Sequence, residues 1–251
     1  MKILIAEFAV GTDIEKSLIP EGAAMLKTLA ESFAHLGHEV YYLSAGTKIS
    51  AGTCIESKAE NFTQVIERKA KSCDAGLIIA PDSMLPELNE VLEENTVNLG
   101  CSPGSAACCA DKLMCTEILT KTGIKAPEIA KKAEEGKKYV TKPRFGCGAE
   151  ATYLVTEFEN KAEIIASEYV EGETLSVSLI AGKKPLPLTV NRQFIEFGEK
   201  EAKTGDNGKA ASFGIKYNGS LTPYQTPRQD ELYETAISTV KCLECFGYVG
   251  V

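Results

Sequence analysis

Tyr139-Val140-Thr141-Lys142-Pro143-Arg144-Phe145-Gly146-Cys147-Gly148-Ala149 is the stretch on which the reading of the fold turns. A β-rich run delivers Lys142, a proline ends it, and a loop with two glycines follows. The lysine ammonium is a compact point charge suited to a polyphosphate. Glycine permits positive φ and close backbone approach, so the amides of such a loop can face an anion. A Lys-Pro turn beside glycines is also an ordinary hairpin. The segment gains meaning from two others, placed before and after it in the chain.

The first is Asp111-Lys112, early in a helical pattern expected over 105–122 and ended by Gly123 and Pro127. The second is Ser167-Glu168-Tyr169-Val170-Glu171-Gly172-Glu173-Thr174-Leu175-Ser176-Val177. Taken singly, Lys112 reads as a solvated helix lysine, and Glu168 and Glu173 as surface strand carboxylates.

Upstream, apolar strands alternate with helical patterns. Residues 2–6, 40–43, 77–80 and 96–99 read as strands. Pro20 to Leu36, the Phe62/Val65/Ile66/Ala70 set and the Leu85/Leu88/Val91/Leu92 set read as helices. Repeated β-α units of this length predict an open parallel α/β sheet. No GxGxxG follows the first strand, which argues against a dinucleotide fold. Short strands at 138–143, 151–155, 164–170, 173–180 and 185–191 predict an antiparallel α+β region. Gly198 to Ala210 reads as a polar, mobile loop. A last helix is expected over 228–246, and Tyr248-Val249-Gly250-Val251 opens a strand.

Composition narrows the function. The chain has 251 residues, 44% hydrophobic, with a net charge of -8 and no block of Lys and Arg, so neither nucleic acid nor membrane is an expected partner. No apolar run approaches the roughly 20 residues of a membrane span, and the N-terminus is too quickly polar for a secretory signal. Nine cysteines, an odd number in a chain of this size, point to a reducing, cytoplasmic setting. Cys242-Leu243-Glu244-Cys245 reads as helix cysteines rather than a metal or redox pair. His35 and His38 are the only histidines and flank Gly37 at a helix end, which leaves little for a hydrolytic triad or zinc chemistry.

Together the three segments resemble the ATP-grasp superfamily, in the same order and with similar gaps. The resemblance implies an α/β fold with an N-terminal open parallel sheet, an α+β lid and a C-terminal α+β region. Its domains would be 1–104, 105–187 with the lysine helix and lid, and 188–251 as the start of the third. It implies ATP as cofactor. Lys112 and Lys142 would reach the phosphates, and the amides at Gly146 and Gly148 would cap them. The Glu168, Tyr169 and Val170 hinge would hold adenine, and Glu173 the ribose hydroxyls.

Further blocks narrow the likeness to ATP-grasp ligases that join tyramine to the γ-carboxylate of L-glutamate through an acyl phosphate, in archaeal methanofuran biosynthesis. They are Glu7-Phe8-Ala9, Pro20-Glu21-Gly22, Asn98-Leu99-Gly100-Cys101-Ser102, Leu175 to Ile180, Asn191-Arg192-Gln193-Phe194-Ile195, and Val240-Lys241-Cys242 before Gly247 to Val251. The substrates implied are ATP, L-glutamate and tyramine. Glu7, Glu21, Arg192 and Gln193 are the substrate-binding candidates, and Arg192 and Lys142 the catalytic ones. In that family an Asp follows Gly-Tyr-Val-Gly-Val, with a Glu and an Asn on a later strand. These hold Mg2+ or Mn2+. They lie beyond Val251, so the chain is expected to be a fragment, its C-terminal region truncated, that binds ATP weakly without ligating. A homodimer is an open expectation. Three alternatives stay open: an ATP-grasp ligase with other substrates, a non-catalytic nucleotide-binding module, and an α/β interaction protein with surface lysines.

Overall fold

In residues Met1–Ala107, apolar runs build a five-stranded sheet: β1 Lys2–Glu7, β2 Glu39–Ser44, β3 Thr53–Glu56, β4 Ala75–Ile79 and β5 Val97–Asn98. The order is β3-β2-β1-β4-β5 and every pair is parallel. The central β1 is covered on both faces, which is why it reads as a continuous apolar run. Leu4 and Ala6 pack with Phe62, Val65, Ile66, Leu88 and Leu92, which belong to α3 (Phe62–Ala70) and α4 (Leu85–Glu93). Ile3 and Ile5 pack on the other face with Leu26 and Ala30 of α2 (Ile19–His35). Some elements of this unit escape the sequence patterns. The helix α1, Phe8–Thr12, is too short to show a period, and β3 is an edge strand with little buried surface.

The computed structural model describes residues 1–201 and 212–251. Its second unit, Cys108–Val251, holds a seven-stranded sheet. The strands are β6 Tyr139–Pro143, β7 Tyr153–Val155, β8 Ile164–Glu168, β9 Leu175–Ala181, β10 Leu186–Glu201, β11 Ser212–Leu221 and β12 Gly247–Gly250. Their order is β12-β9-β10-β11-β7-β6-β8, with antiparallel pairing among the described residues. Strands from both sides of residue 187, where a boundary is expected, lie side by side in this sheet: β9 pairs with β10 and with β12.

Several boundaries differ from the sequence reading. The helix expected over 105–122 is two, α5 Pro103–Ala110 and α6 Lys112–Lys121. Asp111 breaks it with an extended backbone (φ -88°, ψ 96°) and caps α6 by accepting from the amides of Leu113 and Met114. Residues 198–201 continue β10 rather than opening a loop, and the rest of the 198–210 expectation lies outside the described residues. The last helix, α7, spans Gln229–Cys242, so Cys245 lies beyond it and its sulfur sits 3.8 Å from that of Cys109.

One polar cluster ties three strands together. Asn191, on β10 and 7% exposed, donates to Ser176 (3.3 Å) and Ser178 (3.0 Å) of β9. Its Oδ1 accepts from Thr189 (3.0 Å) and from Thr222 (2.9 Å), just past β11. All four hydrogen-bonding positions of the amide are used.

Candidate active site

The glycine loop after β6 has the backbone its composition suggests. Gly146 (φ 98°), Gly148 (φ 72°), Ala149 (φ 59°) and Ala151 (φ 46°) all take left-handed conformations. Such turns bring successive amides to one side, a geometry that suits anions. The two alanines do so against their ordinary preference.

This loop forms one wall of a cleft of about 970 Å³ within the second unit. The cleft collects every expected site residue of that unit: Lys112, Lys142, Gly146, Gly148, Glu168, Tyr169, Val170, Glu173, Arg192 and Gln193. They come from α6, from β6 and its loop, from the end of β8 and the segment between β8 and β9, and from the middle of β10.

The two lysines share an electrostatic field. Lys142, half-buried on β6, has its pKa pulled below the ordinary lysine value, chiefly by burial and then by the Lys112 ammonium. The Lys112 Nζ donates to the carbonyl of Gly146, closing the loop toward α6. At the hinge, the amides of Glu168 and Tyr169 are taken by the carbonyls of Glu128 and Lys138, each at 2.9 Å. Val170 is 67% exposed, and among the described residues its amide has no such partner.

Glu173 and Arg192 are brought together. Arg192 Nε lies 3.3 Å from Glu173 Oε1, which also accepts from the Tyr224 hydroxyl at 2.8 Å. The guanidinium of Arg192 lies 5.6 Å from the centre of the Tyr224 ring. The sequence reading missed Tyr224, which is distant in the chain and carries no motif.

It also missed Arg144. Arg144 Nε and Nη2 donate to the two oxygens of Asp111 at 2.8 and 2.5 Å. The pair holds the Asp111 carboxyl below its usual range, with the guanidinium as the largest cause. Arg144 follows the end of β6 at Pro143 and carries no motif of its own, so the sequence offered no signal for the pairing.

Glu7 and Glu21 belong to the first unit. Glu7 ends β1, is 5% exposed, and accepts from the amides of Ala9 (3.3 Å) and Val10 (2.7 Å) as the cap of α1. Burial raises its pKa most; those amides oppose the shift, and the Glu21 charge adds to it. Glu21 is exposed in the first turn of α2. Next to it, Gly22 lies against the Glu7 carboxylate, where an added Cβ would fall 2.3 Å from Oε2. A side chain there would have to displace the Glu7 carboxylate from the amides it caps.

The ATP-grasp domain profile matches residues 109–251. The tyramine–L-glutamate ligase of Methanocaldococcus fervens is 31% identical over 99% of this chain and 80% of its own length. That of Methanocaldococcus jannaschii is 30% identical, covering 99% of this chain and 76% of its own. A solved structure from Archaeoglobus fulgidus, assigned to the ATP-grasp superfamily, superposes with a TM-score of 0.77 at 28% identity. It covers all of this chain and 75% of its own.

Proposed function

The chain belongs to the ATP-grasp family, and from that premise we propose that it uses ATP to join tyramine to the γ-carboxylate of L-glutamate. The family places it among ligases that form C–N bonds from a carboxylate and an amine. The choice of tyramine and glutamate rests on likeness to the two Methanocaldococcus ligases. The single observation that carries the ATP part is the convergence of Lys112, Lys142, the left-handed glycine loop and the hinge on one cleft.

The glutamate γ-carboxylate attacks the terminal phosphorus, giving an acyl phosphate and ADP. The tyramine amine then attacks the acyl carbon, and phosphate leaves. In this reading Lys112 and Lys142 offset the charge that would repel the carboxylate, and the loop amides at Gly146 and Gly148 hold the terminal phosphates. The Val170 amide, with Glu168 and Tyr169, faces adenine. Glu173 keeps Oε1 for Arg192 and Tyr224 and offers Oε2 to the ribose. Arg192 and Gln193 steady the substrate carboxylate, and Glu7 and Glu21 receive an ammonium group.

Mg2+ or Mn2+ belongs to the proposal through the family, but among the described residues no group of three or more His, Cys, Asp or Glu could hold such an ion. No step is therefore routed through a metal. A homodimer and a cytoplasmic location also remain proposals. Among the described residues no helix is long and apolar enough to cross a membrane.

The test is incubation of the full-length protein with ATP, Mg2+, L-glutamate and tyramine, read by mass spectrometry. γ-Glutamyltyramine and ADP are expected in equal amounts. ADP formed only with another acid and amine would favour the ligase with different substrates, and nucleotide binding with no turnover on any pair would favour the binding module.

A further inference from the structure

We propose that Arg144 and Asp111 are a positioning pair that sets both cleft lysines for a nucleoside triphosphate, an inference that rests on the ATP reading above. Neither residue lines the cleft. Each lies beside a residue that does: Asp111 directly precedes Lys112, and Arg144 follows Lys142 by two places on the way into the glycine loop.

The pair joins two elements 33 residues apart by a bidentate contact, the most directional ion pair that side chains make. Asp111 is 7% exposed, so the contact is shielded from solvent. Backbone bonds extend it. The Lys112 amide donates to the Arg144 carbonyl at 3.1 Å, and the Arg144 amide donates to the Glu163 carbonyl at 2.9 Å. With the Lys112 ammonium on the Gly146 carbonyl, the start of α6, the root of the loop and the residue before β8 form one connected frame.

A frame is needed because the cleft gathers two like-charged ammonium groups, and burial first and the Lys112 charge second already lower the Lys142 pKa. Left to themselves, flexible lysines would move apart and have to be gathered again by the ligand. Fixing their backbones beforehand removes that ordering cost from binding. The Asp111 charge is itself neutralised by Arg144, so it can sit one residue from a phosphate-binding lysine without repelling the phosphate.

The experiment compares Asp111→Asn, Arg144→Met and the double variant by calorimetry. The probes are a non-hydrolysable ATP analogue and adenosine. Asparagine still caps a helix, so Asp111→Asn removes the ion pair and leaves α6 its cap. Each single variant is expected to bind the analogue about tenfold more weakly, with adenosine affinity unchanged. The double variant should be no weaker than either single one. Arg144→Lys, which keeps the charge without the fork, should restore only part of the loss.

Weaker analogue binding in Arg144→Met alone would make Arg144 a direct phosphate ligand and overturn the positioning role. Equal losses for analogue and adenosine, with a lower melting temperature, would reduce the pair to a structural contact. Unchanged analogue binding in both single variants would also overturn it. Failure of the unaltered protein to bind the analogue would bring down the ATP reading itself, and this inference with it.

Discussion

Replacing Lys142 by methionine keeps most of the length of the side chain and removes its charged ammonium group. In the empty cleft that charge is unfavourable, since burial first and Lys112 second hold its pKa down. Methionine fills irregular apolar space well, so the unliganded protein should gain stability, by about 0.5–2 kcal/mol. For a chain of this size that is a rise in melting temperature of about 1–8 °C. The same change removes a charge-assisted phosphate contact worth about 1.5–3 kcal/mol, so ATP should bind about 10- to 150-fold more weakly. The two effects have opposite signs, which separates this reading from general damage. Thermal melts without nucleotide give the first and calorimetric titration with ATP the second. A variant that melts lower when empty and binds ATP as tightly as the parent would refute the reasoning. It would mean that Lys142 already has its counter-charge and does not wait for one.

The Lys142 ammonium should also report its ligand. Its pKa lies below the ordinary 10.5, so between the two values the unfolded chain holds more protons than the folded one, and empty-state stability rises with pH there. A bound polyphosphate raises that pKa, so ATP binding at a pH between the empty and the liganded value should draw in a proton. Calorimetry in buffers of different ionisation enthalpy measures it, and net release would contradict the assignment. Gly22→Ala sets a methyl 2.3 Å from Glu7 Oε2 and should cost about 1–3 kcal/mol in a denaturant melt; a neutral result would show that the Glu7 carboxylate can swing clear. For Glu7 the folded pKa is raised, so its stabilising contribution falls as pH climbs through the interval between the unfolded value, about 4.3, and the folded one. Glu7→Gln should therefore gain on the parent as pH rises through that interval, and a difference independent of pH would deny the upward shift.

Most of the parallel half of the fold was legible because its longer elements carry their own apolar patterns, whereas α1 and β3 do not. Ile3, Leu4 and Ile5 form a continuous run, and Phe62, Val65 and Ile66 recur at helical spacing. The cleft was legible as three local segments, since the glycines and lysines that build it announce their backbone and charge. What joins the segments was not. Asp111 and Arg144 stand 33 residues apart, and Glu173 and Tyr224 stand 51 apart. No period links residues at such distances, and an aspartate within a helical pattern reads equally well as a solvated face or as a cap. The break at Asp111 followed from the same ambiguity. The full reach of β10 into 198–201 was hidden because glycine and alternating charges there weaken the strand signal.

The amide of Asn191 bears on sheet specificity. Slipping β10 by one residue against β9 would send Arg192 to the opposite face, away from Glu173. It would also strand the four buried hydrogen-bonding positions of Asn191, each at a cost of about 1–3 kcal/mol. An apolar residue in its place could pack just as densely in either alignment, with nothing to tell them apart. Asn191 therefore acts as an index mark, penalising the wrong alignment more than it strengthens the right one, and so fixes which side of the sheet the neighbouring guanidinium serves.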